Sequence, residues 1–449
     1  MRILWICNIM LPMMAEHLGL EASNKEGWLT GLADTILKNQ EDNHIRLAVA
    51  FPVQTPLQER RMVIPVKDVE HGLTCYSFTE DLVHPENYPM DLEGQLREIV
   101  KEWKPDVVHC FGTEYPHALA ITRVCPKEKI LIGIQGICTL CAEKYLADLP
   151  QRVVRRVTFR DRVKKDCILT QQDKFRKRGA REVEIIKNAK HITGRTWLDK
   201  QFTSQTNEKV LYHFMNETLR SNFYEGAWDL EKCEQYSIFV SQGDYPLKGL
   251  HYVLKAMPAI LKKYPQAKVY VAGNSISNYK TLKDKLKISS YGKYIRELIK
   301  SNKLKGKVVF LGKMTAAEMK EQYLKSHLFV CASTIENSPN SLGEAMLLGV
   351  PCVTADVGGV ASVFNNELDG LSYPGFGAEE YAAEADKEAA QANMLAKTVI
   401  RMWDNPEEMK NYTEQAKAHA KRNYDSQTNY RRLLEIYNEI NEMQNEYMI

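Results

Sequence analysis

The feature that most constrains this chain is an alternation that runs twice. Short apolar runs of strand length are separated by stretches of helical period. In the first half residues 3–7, 45–51, 106–110 and 130–134 read as strands, and 28–37 and 92–103 as helices. In the second half 237–241, 268–272, 308–311, 327–332 and 351–355 read as strands, with a helix at 250–263. A repeated βαβ rhythm implies a parallel sheet covered by helices on both faces. Two such α/β domains in tandem are expected, at 1–215 and 236–425. A polar, aperiodic linker separates them at 216–235. Residues 430–448 carry apolar side chains at helical spacing, so a long terminal helix is expected over about 426–449. Residues 377–391, rich in Ala and Glu, read as a helical surface insertion without chemistry.

Composition excludes several function classes. Apolar residues at 44% and charged residues at 26% of 449 positions are globular values, not those of a disordered or fibrous chain. Sixty Lys and Arg against 57 Asp and Glu leave a net charge of +3, too little for a whole-chain nucleic-acid field. The ten Cys are scattered, which fits reduced thiols rather than a disulfide scaffold, and Cys138 and Cys141 lack a second ligand pair for zinc. No apolar run approaches the roughly 20 residues needed to span a bilayer. The N-terminal run is broken by Asn8 and Pro12 and reads as a buried strand rather than a signal peptide. The default location is therefore cytoplasmic.

Residues 152–181 depart from this balance. They carry a dense run of Lys and Arg opposed only by Asp161, Asp166 and Asp173. Such a run is either a solvated helical face or a surface for anionic lipid headgroups, where each cation contributes roughly 1 kcal/mol. No aromatic interleaving points to nucleic acid.

The densest chemical signal is the stretch from Ser333 to Met346. An apolar strand ends near Ala332, a short loop follows, and a helix is expected to start at Asn340 or Ser341, either a good N-cap. Gly349 and Pro351 supply its stop. The loop then lies at the carboxyl end of a parallel strand, where open α/β sheets bind ligands. Free amides at the helix start favour an anion such as a diphosphate. Glu336 and Glu344 flank that position and would reach hydroxyls on either side of it. On spacing alone, Glu336 is equally a surface residue and Glu344 a helix-dipole partner.

Glu336 to Glu344 forms a Glu-x7-Glu motif, and with Ala345–Val353 it resembles the signature of family 4 retaining glycosyltransferases of the GT-B fold. The Pro339-Asn340 inside it resembles one branch of that family. Further similar elements are Lys248-Gly249, the strand-end Gly273-Asn274, Phe310-Leu311-Gly312, Asp356 to Val360, Asp369-Gly370-Leu371, and Pro105 to His109. The resemblance implies two Rossmann-like domains facing a central cleft, with the C-terminal helix returning to the N-terminal domain. It implies a nucleotide-sugar donor, with UDP as the default carrier, bound mainly by the second domain. The acceptor, a glycan or lipid-linked molecule as in bacterial surface polysaccharide synthesis, would be bound mainly by the first. Lys248 would neutralise the leaving diphosphate. Glu336 would hold donor-sugar hydroxyls and Glu344 the ribose. Ser338, Pro339, Asn340, Ser341, Gly312 and Asn274 would complete the donor site. No Asp-x-Asp occurs, so no metal or other cofactor is expected, and helix dipoles and protein cations would take its place.

The chain departs from the family pattern at two positions. Gly243 stands where many members carry an Arg, leaving Arg195 or Arg220 as replacement cations. Gln135 stands where many carry a His, leaving His109 as a substitute or as a structural residue. Gly27 could let an acceptor approach the backbone, and Trp28 could stack on a sugar or pack in the core. These departures keep two rivals in view: a non-catalytic sugar-nucleotide-binding partner, and a nucleotide-sugar epimerase on the same scaffold.

Overall fold

The structure is a computed structural model that describes residues 1–20, 27–39, 43–66, 69–274, 276, 281, 286–379 and 386–446. The chain divides into two compact units. The first comprises Met1–Thr139, Phe175–Arg220 and Asn423–Ile449, and the second Leu140–Lys174 and Ser221–Arg422. Residues 140–174, expected in the first domain, thus group with the second.

The first unit is built on an eight-stranded sheet in the order β3-β4-β2-β1-β5-β6-β7-β8. Its strands are β1 (Arg2–Ile6), β2 (Arg46–Val53), β3 (Arg61–Val66), β4 (Val69–Thr79), β5 (Val107–Phe111), β6 (Ile130–Gly133), β7 (His191–Gly194) and β8 (Leu211–Phe214). All pairings are parallel except β3 with β4. The pattern reading missed β3 and β4, which form an antiparallel edge, and β7 and β8, which are only four residues long. Trp5 lies opposite Val49 on one side and His109 on the other, which fixes the central register.

The terminal helix, Ser426–Glu446, covers this sheet. Leu433, Ile436, Tyr437 and Ile440 join Trp5, Trp28 and Phe111 in one buried core. Tyr437 accepts a hydrogen bond from the Trp5 indole at 2.9 Å. The polar partner lets an indole N–H be buried without an unsatisfied donor.

The second unit holds a six-stranded, wholly parallel sheet in the order β11-β10-β9-β12-β13-β14. Its strands are β9 (Glu234–Val240), β10 (Lys268–Ala272), β11 (Val308–Gly312), β12 (Ser326–Cys331), β13 (Cys352–Asp356) and β14 (Leu371–Pro374). Thr315 caps the helix Ala316–Lys325 reciprocally with Glu318, so two amide donors at its start are satisfied.

The expected insertion at 377–391 is only partly within the described residues, since 380–385 lie outside them. Its C-terminal part opens the helix Lys387–Asp404, and it is not a surface feature throughout. The Glu388 carboxylate is buried, accepts from the Tyr294 hydroxyl at 2.7 Å and pairs with Lys255 at 2.6 Å.

Candidate functional site

The strand order of the second sheet creates the site. From β9 the chain steps outward to β10 and β11, then returns to lay β12 on the other side of β9. The connections leaving β9 and β12 therefore run to opposite sides, and a crevice opens at their carboxyl ends. The sequence motifs sit in these two connections. After β9 a short turn, Pro246–Lys248, leads through Gly249 into the helix Leu250–Lys263. After β12 comes the loop that carries Glu336, then the helix Asn340–Leu348.

The two loops are tied together. The Thr334 amide donates to the Leu247 carbonyl at 2.8 Å. Gly249 has φ +68, and a Cβ there would stand 1.8 Å from the Ala332 carbonyl oxygen. Only glycine lets the turn rest on the end of β12. The Gly359 amide, beyond β13, donates to the Glu336 carbonyl at 2.9 Å, so a third strand-end loop joins the assembly.

On this frame Lys248 Nζ meets Glu336 Oε1 at 2.5 Å. Ser333 Oγ donates to the same oxygen at 2.7 Å. Oε2 of Glu336 takes no bond among the described residues. The side chains are 24% and 14% exposed, so the pair is largely desolvated yet open to a ligand. Burial alone would depress the Lys248 ammonium, but the Glu336 carboxylate outweighs it and the net shift is upward. Lys248 is therefore a fixed cation at neutral pH. Burial pushes the neighbouring Tyr245 phenol up to about 12.

The helix after the loop starts one residue earlier than expected. Pro339 occupies the N-cap position, no side chain caps it, and Asn340 and Ser341 are its first two helical residues rather than caps. The amides of Leu342 and Gly343 return to the Pro339 carbonyl, and Tyr323 Oη donates to the Ser341 carbonyl at 2.9 Å, which anchors the helix start. Gly349 ends the helix in the left-handed conformation, as its position predicts. Ser338 and Glu344 are both buried. On the other side of β9, Asn274 Nδ2 donates to Asp244 in the β9 loop at 2.7 Å, and the Gly273 amide donates to the Gly312 carbonyl at 3.0 Å. The residues that the resemblance assigns to a donor therefore lie about the carboxyl edge of one sheet.

Gly243 has a packing reason. A Cβ there would lie 2.7 Å from Leu250 Cδ2 and 2.8 Å from Val271 Cγ1, so the backbone is pressed into the core where a longer side chain would need room. Neither proposed replacement cation belongs to this unit. Arg195 is buried in the first unit in an ion pair with Glu217. Arg220, also in the first unit, lies against Gly27, where a Cβ would overlap its side chain.

The sequence reading missed the contribution of residues 140–174. The Ala147 carbonyl accepts from Tyr252 Oη at 2.9 Å and faces His251 Nε2 at the same distance. Tyr145 is buried, and its phenol is raised first by that burial and then by Tyr245, Asp166 and Asp244. Nothing in spacing or motif marks these residues, because they come from a separate stretch of chain.

The acceptor-side residues resolve differently. His109 is fully buried in mid-strand with Nδ1 2.8 Å from Tyr437 Oη, and burial lowers its pKa to about 3. It is a neutral core histidine, not a substitute base. Trp28 is 3% exposed and packs 5.5 Å from the Phe111 ring, so it is a core residue and not a stacking platform. Gly27 makes room for Arg220 rather than for a ligand. Gln135 alone remains half-buried at a strand end, beyond β6. The loop after it is held by two carboxylates: Glu114 accepts from the Gly136 amide at 2.8 Å, and buried Glu182 accepts from the amides of Cys138 and Thr139, both at 3.0 Å. Among the described residues no cluster of three His, Cys, Asp or Glu is placed to hold a metal.

Residues 224–419 match the family described as glycosyl transferases group 1. An uncharacterized glycosyltransferase of Methanocaldococcus jannaschii is 30% identical over 138 residues, 31% of each chain. The chain spans less than half the length of the curated relatives it matches. Among solved structures, sucrose-phosphate synthase from Thermosynechococcus elongatus superimposes with a TM-score of 0.66 at 12% identity, over 98% of both chains. Anabaena HepE in complex with UDP-glucose gives 0.62 at 16% identity, over 98% of this chain and 100% of that one. The fold is thus that of the GT-B glycosyltransferases, two α/β parallel-sheet domains with a helical C-terminal part.

Proposed function

We propose that the chain is a retaining, metal-independent glycosyltransferase. It would move a hexosyl group from a nucleotide-sugar donor to a glycan or lipid-linked acceptor. The observation that carries this reading is the Lys248–Glu336 pair, held at a topological switch point beside a helix N-terminus inside the matched region. A helix start and a fixed ammonium together suit a diphosphate leaving group. Lys248 loses no charge when the diphosphate arrives, and Glu336 keeps Oε2 for a sugar hydroxyl next to the developing positive charge. Glu344 is assigned to the ribose on the resemblance of its motif, and its burial fits a specific polar contact. The UDP-glucose bound by HepE supports a uridine nucleotide as carrier. Family 4 membership, in the branch with Pro-Asn inside the Glu-x7-Glu motif, rests on residues 336–344. A cytoplasmic role in surface polysaccharide synthesis is the setting that this resemblance favours.

The test is a panel of sugar nucleotides incubated with the purified protein, with and without EDTA, reading released nucleoside diphosphate. Slow release from one donor that survives EDTA is expected. Conversion of a sugar nucleotide without release would favour an epimerase, and thermal stabilisation by a donor with no turnover on any acceptor would favour a binding partner.

A further inference from the structure

The basic stretch at 152–181 is not one surface. Arg152 and Arg156 pair with Glu297, and Arg160 pairs with Asp161 and Asp166. Arg181 is buried and donates to the carbonyls of Pro85 and Glu114. Within residues 152–165, what remains exposed and without an ion pair among the described residues is Arg155, Arg162, Lys164 and Lys165.

These four cations flank exposed apolar side chains. In the helix Phe159–Lys164, Phe159 is 64% exposed and Val163 66%. Helical geometry explains why both face outward. Asp161 is buried and accepts from the Ser290 amide at 2.9 Å, which turns its face of the helix inward. Residues two positions away on either side lie about 200° around the helix, so Phe159 and Val163 share the opposite face, about 40° apart. Thr158 Oγ1 donates to the Ile288 carbonyl at 2.7 Å, and the Arg pair with Glu297 clamps the segment further. Val157, beside the helix, is also 50% exposed. A rigid mount thus holds apolar side chains outward among unpaired cations.

We propose that residues 155–165 form a docking face for an anionic lipid bilayer. Phe159 and Val163 enter the boundary between headgroups and acyl chains, while Arg155, Arg162, Lys164 and Lys165 meet the headgroup charge. The charge alone would suit any polyanion. The aliphatic component decides for a bilayer, because nucleic acid offers no apolar depth for Val and a lone Phe is no stacking platform. The inference is independent of sugar transfer, and its test uses no substrate.

The full chain is sedimented with vesicles of phosphatidylcholine alone and with about one third phosphatidylglycerol, over a salt series. Binding to the anionic vesicles only is expected, weakening as salt rises. Replacing Arg155, Arg162, Lys164 and Lys165 together by Gln should cost roughly fivefold per cation. Phe159→Ser with Val163→Ser should cost roughly tenfold and remove most binding at high salt. Phe159→Leu should retain binding, and far-ultraviolet circular dichroism should be unchanged in every variant. Three results overturn the proposal: equal sedimentation with both vesicles, wild-type binding by the Gln variant, or wild-type binding by the double Ser variant at all salts. The last would make the face an ion-exchange surface for a soluble polyanion. A defect in sugar transfer would move none of these readings.

Discussion

The two units carry the same kind of sheet but use its carboxyl edge differently. In the second, opposite charges meet at the strand ends, partly open, on loops that glycines press together. In the first, the groups with chemical potential have sunk into the framework. His109 and Trp28 are core, buried Glu182 accepts from the amides of Cys138 and Thr139, and half-buried Glu114 accepts from the Gly136 amide through Oε1. Each unit also buries a neutral histidine, His109 in one and His251 in the other, both lowered by burial to about 3. The difference teaches that strand-end position marks a ligand edge, but the exposure of a charged pair there separates a functional group from a structural one.

The sharpest way to break this comparison is at the charge pair. Lys248→Ala and Glu336→Gln are each expected to lower nucleotide release at least about 100-fold, the scale of losing one preorganised charge at a leaving group. His109→Gln in the first unit should leave release within about threefold once corrected for folded fraction. Steady-state release at saturating donor, with melting temperatures alongside, checks all three. Release within threefold of wild type in both second-unit variants would end the assignment.

That asymmetry also explains what could be read in the sequence. Five of the six strands of the second sheet were legible because they are continuous apolar runs, and its candidate site is local; the four-residue β14 was not read. Lys248 follows β9 and Glu336 follows β12, each within a few residues of a strand end. Helix termination at Gly349 followed from chemistry at one position. The first unit hid the antiparallel pair β3 and β4 at one edge, and the four-residue strands β7 and β8 at the other. His109 and Trp28 could not be sorted, because their burial depends on Tyr437 and Phe111, which the sequence places elsewhere. Tyr145 and Ala147 were invisible for the same reason, since they reach Tyr245 and Tyr252 from a distant stretch of chain.

A second test separates two glycines of the same sheet edge. Gly249 and Gly312 both have positive φ, +68 and +83. A Cβ on Gly249 meets backbone at 1.8 Å, whereas one on Gly312 meets open space. Gly249→Ala should therefore destabilise by about 2–4 kcal/mol and separate the Lys248 and Glu336 loops. Gly312→Ala should cost only about 1 kcal/mol of backbone strain. Urea midpoints with donor titrations read both terms. Equal effects would mean that the turn is not clamped onto β12.

The mildest prediction concerns pH. An unfolded histidine titrates near about 6.5, whereas folded His109 stays neutral down to about 3. Between those values the unfolded state binds the extra proton, so the contribution of His109 to stability is complete above about 6.5 and is lost as pH falls toward 3. The slope for one such group reaches about 1.4 kcal/mol per pH unit. His109→Gln should flatten the fall of the urea midpoint between pH 6.5 and pH 5 by up to one proton's worth. The same substitution should leave the pH profile of nucleotide release unchanged, because a group that cannot protonate in the folded state cannot shape a rate. A release profile that loses a limb in this variant would return His109 to the reaction and erase the contrast between the two sheets.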